Sequence, residues 1–485
     1  MKKQTFGRKA LALLLAALCL SSLYGCGGEK AGGETDTAPE TETAETESLL
    51  CTPERNYNDT DFSILYLAGE SEPYAVADIW SDGYTGEVIN DSVYDRNCKL
   101  EQALGIAIVP IPNTDIAGAV KAEVTAGGRS YDVVSDQMKR LFSLGIENYL
   151  YDWNTLTYID VNDPWWDKLA ADELSLKKHL YLMAGDISME TFSGARFLYF
   201  NKAMMQEYGF TAPYKQAEKG AWTFDEMLQM IKSIGVDLNG DGKMDSYDRY
   251  GMLVETPTFF LSGCGILFSS KDEDDLPVID FATERTVNVL EKVASLFEDT
   301  EHTINYEKAA KGRDTGAYAH IYDFGRSLFA GGQFLFVQNG AKAAVQFADM
   351  DDGYGVLPNP KFDAEQQEYY HLVDCFRCAI AIPATVIDIE RVDIVLDNWS
   401  YFSTSTVRDA YYETTLKKKR LDAPEDARMM DIVWNTKRYE ITYIYDIGVM
   451  GILNSAYSSG NLMSTYQKEI GAVEKKLSLI LEKVN

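Results

Sequence analysis

The chain has 485 residues, and its 75 Asp and Glu against 45 Lys and Arg give a formal net charge of −30. Such an acidic surface repels phosphate backbones and anionic headgroups, which argues against a nucleic-acid-binding protein or one that binds anionic membranes through its surface. The length is sufficient for two domains with sizeable cores.

Residues 1–25 have the pattern of a bacterial export signal, with basic residues before a short apolar run at 10–20. The run leads into Leu23-Tyr24-Gly25-Cys26, which resembles a lipoprotein cleavage site with Cys26 as the acylated residue. Tyr24 departs from the small residue usual there, and the alternatives are an ordinary signal peptide cut elsewhere or a signal anchor. The apolar run is too short for a spanning helix. We therefore predict an extracytoplasmic protein held at the cell membrane by an acyl chain such as palmitate.

Residues 26–58 are rich in Gly, Glu and Thr. Few apolar groups and many like charges cannot bury enough surface to order the backbone. We predict a disordered acidic tether that gives the following domain reach from the membrane.

Strands and helices then alternate. The patterns predict strands at 61–68, 105–111 and 131–135, with helices at 92–104 and 116–126 between them. This order implies crossover connections and a largely parallel sheet, so the predicted fold class is α/β.

A second series of elements follows a short apolar strand predicted at 179–183. It begins with a strand at 197–202 and continues with helices at 284–297, 388–402 and 462–483. We find no internal repeat.

Two acidic residues follow predicted strands, Asp136 after 131–135 and Asp186 after 179–183. Ligands of open α/β sheets bind outside the carboxyl ends of the strands. We therefore predict both carboxylates as ligand-binding groups at the rim of a cleft.

Aromatic residues make up 12% of the chain, and Trp165 and Trp166 are adjacent. Sugars present apolar faces that pack on aromatic rings and hydroxyls that need polar partners. Core packing is the alternative for any single aromatic residue. Because adjacent side chains do not easily bury in one core, Trp165 and Trp166 are predicted as ligand platforms.

Residues 237–248 match the calcium loop of an EF-hand, which takes oxygen ligands from positions 1, 3, 5, 7, 9 and 12 and has glycine at 6. Gly242 occupies position 6, where the chain turns sharply. The predicted ligands are Asp237, Asn239, Asp241, the backbone carbonyl of Lys243, Asp245 and Asp248.

The loop departs from the usual pattern at its last position. Asp248 stands where a longer, bidentate Glu is commoner, which predicts a weak site. The alternative is a solvated acidic turn. Thr223 and Glu226 form a capping-box pattern before the loop, and a strand is predicted after it, so we expect a structural Ca²⁺ in a single loop rather than a paired sensor.

The cysteines do not suggest a disulfide framework at this length. Cys375 and Cys378 have C-x-x-C spacing but no second pair and no histidine nearby, so zinc is disfavoured. They lead into an apolar strand, and we expect buried thiols, with redox chemistry as the lesser alternative.

Several segments together resemble a known family. They are Phe-Leu-Tyr-Phe-Asn-Lys with its following helix at 197–210, Trp-Thr-Phe-Asp-Glu-Met at 222–227, Phe-Leu-Phe-Val-Gln-Asn-Gly at 334–340 and Asp-Gly-Tyr-Gly-Val-Leu-Pro-Asn-Pro at 352–360. Their order is similar to that in extracellular solute-binding proteins for oligosaccharides, the maltose-binding-protein cluster of ABC importers, some of which carry a calcium loop. Residues 417–446 fit this pattern poorly.

The resemblance implies two α/β lobes of the periplasmic-binding-protein type, with ligand between them. Lobe I would comprise 59–184 plus 370–403, and lobe II 187–358 plus 406–485, with hinge crossings near 185, 358–370 and 403. The resemblance alone places Asn339, Trp434 and Tyr445 at the ligand. It also implies an ABC permease as partner, and we expect a monomer.

No catalytic motif stands out: G-x-S-x-G, H-E-x-x-H and the phosphate-loop pattern are all absent from the sequence, and its four histidines are scattered. We therefore predict a non-enzymatic, membrane-tethered receptor that delivers an oligosaccharide to an ABC importer. The alternatives are a lipoprotein hydrolase acting on glycans and a peptide receptor.

Overall fold

The computed structural model describes residues 50–68, 78–347, 350–412 and 424–484. Cys26 and the predicted export signal lie outside these residues. The strands are β1 (Thr60–Leu67), β2 (Ile106–Asn113), β3 (Val133–Gln137), β4 (Phe197–Asn201), β5 (Gly235–Val236), β6 (Arg249–Val254), β7 (Ser270–Lys271), β8 (Pro277–Val278), β9 (Thr303–Asn305), β10 (Phe334–Asn339), β11 (Tyr354–Leu357), β12 (His371–Leu372), β13 (Cys378–Ala381) and β14 (Lys437–Arg438).

The helices are α1 (Val88–Leu104), α2 (Ile116–Thr125), α3 (Met138–Ile146), α4 (Lys168–Leu174), α5 (Glu190–Gly194), α6 (Lys202–Glu207), α7 (Tyr214–Glu218), α8 (Phe224–Ile231), α9 (Thr258–Gly263), α10 (Glu284–Glu298), α11 (Tyr306–Ala310), α12 (Ile321–Ala330), α13 (Ala343–Phe347), α14 (Ile389–Ser403), α15 (Pro424–Asn435), α16 (Ile441–Ile444), α17 (Val449–Ser459) and α18 (Leu462–Leu481). A 3-10 turn spans Trp153–Thr155, and a π-helical turn spans Thr404–Arg408. Among the described helices, none is long and apolar enough to cross a membrane.

The first sheet has the strand order β13-β3-β1-β2. β1 is parallel to β2 and β3, with Leu65 opposite Val134, and β13 is antiparallel to β3. Helices α1 and α2 connect these strands in the predicted βαβα order. Phe62, Ile64 and Leu65 of β1 are fully buried, which places the core on both faces of this sheet.

The second sheet has the order β11-β4-β10-β6, with β5 and β9 both paired to β6. β10 is parallel to β6 and antiparallel to β4. Every residue of β4 and β10 is buried, as expected for central strands covered on both faces. The two small sheets are β12 with β14 and β7 with β8.

The predicted strand at 179–183 is absent from the described structure and is replaced by isolated bridges. Met183 pairs with Ile380 of β13, but the Leu180 N–H donates to the Asp152 carboxylate at 3.0 Å. The Asp152 side chain thus accepts the hydrogen bond that the Leu180 N–H would donate to a neighbouring strand. The pairing of Met183 with Ile380 therefore does not extend into a ladder.

The predicted tether at 26–58 overlaps the described chain from Leu50 onward, and this part is packed against α14. The Cys51 N–H donates to Asn398 Oδ1 at 3.1 Å, and the Asn398 amide donates to Thr52 Oγ1 at 2.6 Å. The packed domain therefore begins before residue 58.

A fully buried arginine joins four segments of the chain. Arg96 of α1 donates to the carbonyls of Asp78, Ile79 and Ile187 at 2.9–3.0 Å and to Ser403 Oγ at 3.3 Å. Burial lowers its pKa to about 10, so the guanidinium stays charged at neutral pH. Helix α1, the segment at 78–79, the segment at 187 and the end of α14 are thereby held together.

Candidate ligand-binding site

A cavity of about 600 Å³ lies where strands of both sheets end. It is lined by Gln137, the last residue of β3, by Asn339, the last residue of β10, and by Glu255, which directly follows β6. Its volume is within the usual range for small-molecule sites, and the carboxyl ends of strands are where α/β folds bind ligands.

The turn between β12 and β13 supplies one side of the cavity. The Phe376 N–H donates to Asp374 Oδ1 at 3.1 Å and the Arg377 N–H to the Asp374 carbonyl at 3.0 Å, which fixes the turn. Phe376 lines the cavity with 48% of its surface exposed. A solvent-exposed aromatic ring can stack on an apolar face of a ligand.

Arg196, immediately before β4, contacts three other polar residues of the cavity lining. Its Nη2 is 3.0 Å from Asp374 Oδ2, and its Nη1 is 3.5 Å from both Glu255 Oε2 and Asn339 Oδ1. The guanidinium carbon lies 4.9 Å from the ring centre of Phe259. Its buried Nε–H has no hydrogen-bond partner among the described residues. The fork is therefore positioned by two carboxylates and one ring.

The lining combines flat rings with groups that donate or accept hydrogen bonds. The rings belong to Phe259, His320, Tyr322, Phe376 and Tyr443. The rings of His320 and Tyr322 are stacked, with their centroids 4.7 Å apart. The charged side chains are Arg196, Glu255, Asp323, Arg326, Lys342, Asp374 and Arg377. Such a surface suits a ligand with apolar faces and many hydroxyls.

Of the predicted ligand-binding residues, Asn339 lines this cavity and Asp136 does not. Asp136 belongs to β3 itself and is fully buried, accepting from Arg140 Nε at 3.0 Å and from the Gln137 N–H at 2.8 Å. Because successive side chains on a strand point to opposite sides, Gln137 reaches the cavity in its place.

Trp166, Asp186 and Trp434 line a second cavity of about 280 Å³. Trp166 is only 5% exposed, which corrects the expectation that the adjacent tryptophans lie outside the core. Trp165 is half-buried, and both indole N–H groups donate to Asp397 Oδ1, at 2.7 and 2.9 Å. A shared acceptor is what allows the two neighbours to pack inward together.

The polar groups of the second cavity are already engaged. Asp186 accepts from Thr404 Oγ1 at 2.7 Å and pairs with Arg408 Nη1 at 2.8 Å, and burial raises its pKa to about 6. Lys437 Nζ lies over the Trp434 ring, 4.2 Å from the ring centre. These contacts give Asp186 and Trp434 structural partners within the protein.

Tyr445 lines neither cavity. Its ring packs against Phe142 of α3 at a centroid distance of 5.5 Å. Tyr443, two residues earlier, lines the larger cavity instead. Arg196 and Phe376 also line the larger cavity and were not predicted from the sequence. For Phe376 the available signal was an aromatic residue between two cysteines that precede an apolar strand.

The loop at 237–248 turns as its sequence predicts. Gly240 and Gly242 have backbone φ angles of 74° and 80°, which residues other than glycine rarely adopt. Asp237 accepts from the N–H groups of both glycines, at 2.6 and 2.7 Å. The first predicted ligand thus organises the turn.

The other predicted ligands also bond to backbone N–H groups of the loop. Asn239, Asp241 and Asp245 each accept from the residue two positions on, at 2.9 Å. Asp248 is fully buried and accepts from Leu238 and Asp245. Lys243 is exposed. Across residues 50–68, 78–347, 350–412 and 424–484, no group of three or more His, Cys, Asp or Glu is arranged to hold a metal ion, and calcium stays a prediction.

No protein-family profile and no curated protein sequence matches this chain. Its structure is similar to that of UspC from M. tuberculosis, with a TM-score of 0.55 and 11% identity over 86% of this chain and 100% of the other. It is also similar to a cyclo/maltodextrin-binding protein complexed with maltotetraose, with a TM-score of 0.52 and 13% identity over 87% and 96%.

A third similar structure is the GacH receptor of Streptomyces glaucescens, solved unliganded and with acarbose. The TM-score is 0.52 and the identity 12%, over 88% of this chain and 98% of the other. At these identities the likeness shows the fold. The predicted fold class, a two-lobed α/β solute-binding-protein fold, is confirmed.

Proposed function

We propose that this protein is an extracytoplasmic receptor that captures an oligosaccharide in the larger cavity and delivers it to an ABC importer. The observation that carries the proposal is the cavity of about 600 Å³ at the strand ends of both sheets, lined by rings and polar groups. Structurally similar proteins solved with maltotetraose and with acarbose support the saccharide assignment.

In the proposed complex, the aromatic rings of the lining would contact the apolar faces of the sugar, and the polar side chains would bind its hydroxyls. Phe376 offers an exposed ring to an apolar sugar face. Gln137, Asn339 and Arg196 offer amide and guanidinium groups to hydroxyls. Because Gln137 and Asn339 end strands of different sheets, one ligand would bridge both halves of the fold.

The carboxylates of the cavity favour binding over hydrolysis. Glu255 and Asp374 both contact the guanidinium of Arg196, at 3.5 and 3.0 Å. In a glycosidase the two carboxyl groups instead flank the glycosidic bond that is cleaved. Release of reducing ends from a bound oligosaccharide would overturn the receptor assignment in favour of an enzyme.

A thermal-shift panel of oligosaccharides, followed by calorimetry, tests the proposal. A true ligand at 100 times its Kd adds about 2.7 kcal/mol to the free energy of unfolding. Phe376→Ala is expected to weaken binding by about 1–3 kcal/mol through loss of the platform, with little change in melting temperature.

Tyr84→Ala is the matched control, since Tyr84 is an aromatic residue with 67% exposure that does not line the cavity. It should bind the ligand as the wild type does. Equal affinity in Phe376→Ala and the wild type would show that the saccharide binds elsewhere.

The membrane anchor belongs to the same proposal and rests on the sequence, because Cys26 lies outside the described residues. Cys26→Ser is expected to block acylation and to move the protein from the membrane fraction to the soluble fraction. Fractionation of cells with an antibody against the folded domain measures this. Unchanged membrane retention would contradict a lipid anchor at Cys26.

We also propose that the loop at 237–248 binds Ca²⁺ as a structural ion, because the spacing of its oxygen groups and Gly242 both fit. Asp237→Ala is expected to remove the rise in melting temperature that millimolar Ca²⁺ produces in the wild type. Asp314→Ala, in another exposed turn, is the control. A wild-type melting temperature that is the same in Ca²⁺ and in EDTA would make the loop a solvated turn.

A further inference from the structure

Helix α4 and strand β14 are joined by polar contacts, which we call the α4–β14 joint. Arg438 Nη1 lies 2.8 Å from Glu173 Oε1, and the Tyr439 N–H donates to Glu173 Oε2 at 2.5 Å. Lys437 Nζ lies 2.5 Å from Asp167 Oδ2, and the Tyr439 hydroxyl donates to the same oxygen at 2.7 Å. Three consecutive residues at β14 are thereby held against one helix.

The joint lies next to two segments that form part of the larger cavity. β14 pairs with β12, and the turn after β12 carries Asp374 and Phe376 to the cavity. Helix α16 begins directly after the joint and carries Tyr443 to the same cavity. A change in the α4–β14 joint therefore reaches residues that line the cavity.

Glu440 follows these contacts in the chain and is buried without a cation of its own. It is 3% exposed, and its Oε1 has no hydrogen-bond partner among the described residues. Other carboxylates of the surrounding elements pair with cations: Glu173 with Arg438, Asp167 with Lys437, Asp275 with Lys271 and Asp172 with Lys168. A buried carboxylate without such a pair is costly, so the neutral acid is favoured at Glu440.

Burial raises the pKa of Glu440 from its usual 4.5 to about 8, and the charge of Glu173 raises it further, while Arg438 and the N–H groups of Phe268 and Ser269 oppose the rise. Burial also raises the pKa of Glu173, to about 7, against the effect of Arg438. Glu440 therefore holds a proton at neutral pH and releases it in mildly alkaline solution. Two buried carboxylates then lie beside one guanidinium and repel each other.

We propose that Glu440 is a proton-dependent latch in the α4–β14 joint: it packs beside Glu173 while protonated, and its ionisation loosens the contact between α4 and β14. Loosening would free the start of α16 and, with it, Tyr443 at the cavity. The latch goes beyond the proposed receptor function, and its test needs no ligand.

The direction of the pH effect follows from proton binding. The folded protein holds a proton at Glu440 that a solvated carboxyl would have released, so the contribution of this group to stability falls as the pH rises from 4.5 to about 8. Glu440→Gln keeps the shape of the neutral acid and cannot ionise. At about pH 6 it should melt close to the wild type, and at about pH 9 it should melt at a higher temperature than the wild type.

Hydrogen exchange of the full chain locates the effect. In the wild type, the opening equilibrium of the amides at 437–445 should increase about tenfold or more between about pH 6 and about pH 9, after correction for base catalysis of exchange. Glu440→Gln should remove most of this increase. Amides of α14, which lies outside the joint, should respond alike in both proteins.

Glu301→Gln is the control, because Glu301 is exposed in a turn and should leave the pH dependence of the wild type unchanged. Glu440→Met, which also cannot ionise, serves if Glu440→Gln does not fold. A melting temperature that falls with pH as steeply in the Glu440 variant as in the wild type would overturn the latch. Opening at 437–445 that does not change with pH in the wild type would also overturn it.

Discussion

Arg96→Met is expected to lower the free energy of unfolding by about 3–5 kcal/mol, as measured for other buried charges that lose one partner of a network. The substitution keeps an apolar stem in the core but removes the donors to the Asp78, Ile79 and Ile187 carbonyls. It also leaves the fully buried Asp78 carboxylate without its nearby cation. Each of these buried polar groups then loses a partner that compensates for its removal from water.

Urea unfolding followed by circular dichroism measures the change. Arg55→Met is the control, because Arg55 makes one ion pair with Glu390 in which both side chains are largely exposed. It should keep the wild-type midpoint. An Arg96→Met midpoint equal to that of Arg55→Met would mean that the buried network does not hold these segments together.

Arg196→Met is expected to weaken saccharide binding at least about a hundredfold, a loss of about 2.7 kcal/mol. The guanidinium lines the cavity and contacts the side chains of Glu255, Asp374 and Asn339. Without it, two partly buried carboxylates face the ligand with no cation between them, which also lowers the free energy of unfolding by about 3–5 kcal/mol.

Arg196→Lys separates charge from geometry, because lysine keeps the charge and loses the planar fork. It should retain more stability than Arg196→Met while still binding weakly. Arg285→Met, which breaks a half-exposed pair with Asp363, should leave binding intact. Calorimetry is done at a temperature where circular dichroism shows each variant folded. Wild-type affinity in Arg196→Met would remove this residue from the site.

Elements whose signal is local were predictable to within a few residues. The strand predicted at 61–68 is Thr60–Leu67, and the helix predicted at 388–402 is Ile389–Ser403. Both follow from the period of apolar side chains, which neighbouring residues determine. The capping box of Thr223 and Glu226 is likewise a local interaction and is confirmed.

The site was less predictable because it depends on contacts between distant segments. The sequence predicted Asp136 at the cavity, but the next residue of β3, Gln137, lines it. Because successive side chains of a strand point to opposite faces, an error of one residue in the position selects the wrong side chain. Trp166 is buried because Asp397, 231 residues away, accepts its indole N–H. Arg196 reaches Asp374 across 178 residues, and no pattern near either residue indicates the pair.

A crystal structure of the protein with a saccharide found in the binding panel would show directly which cavity binds the ligand. We predict that the ligand lies in the larger cavity, stacked on Phe376 and within hydrogen-bond distance of Gln137 on one sheet and Asn339 on the other. A saccharide bound beside Trp434 in the smaller cavity, with the larger cavity holding only water, would contradict it.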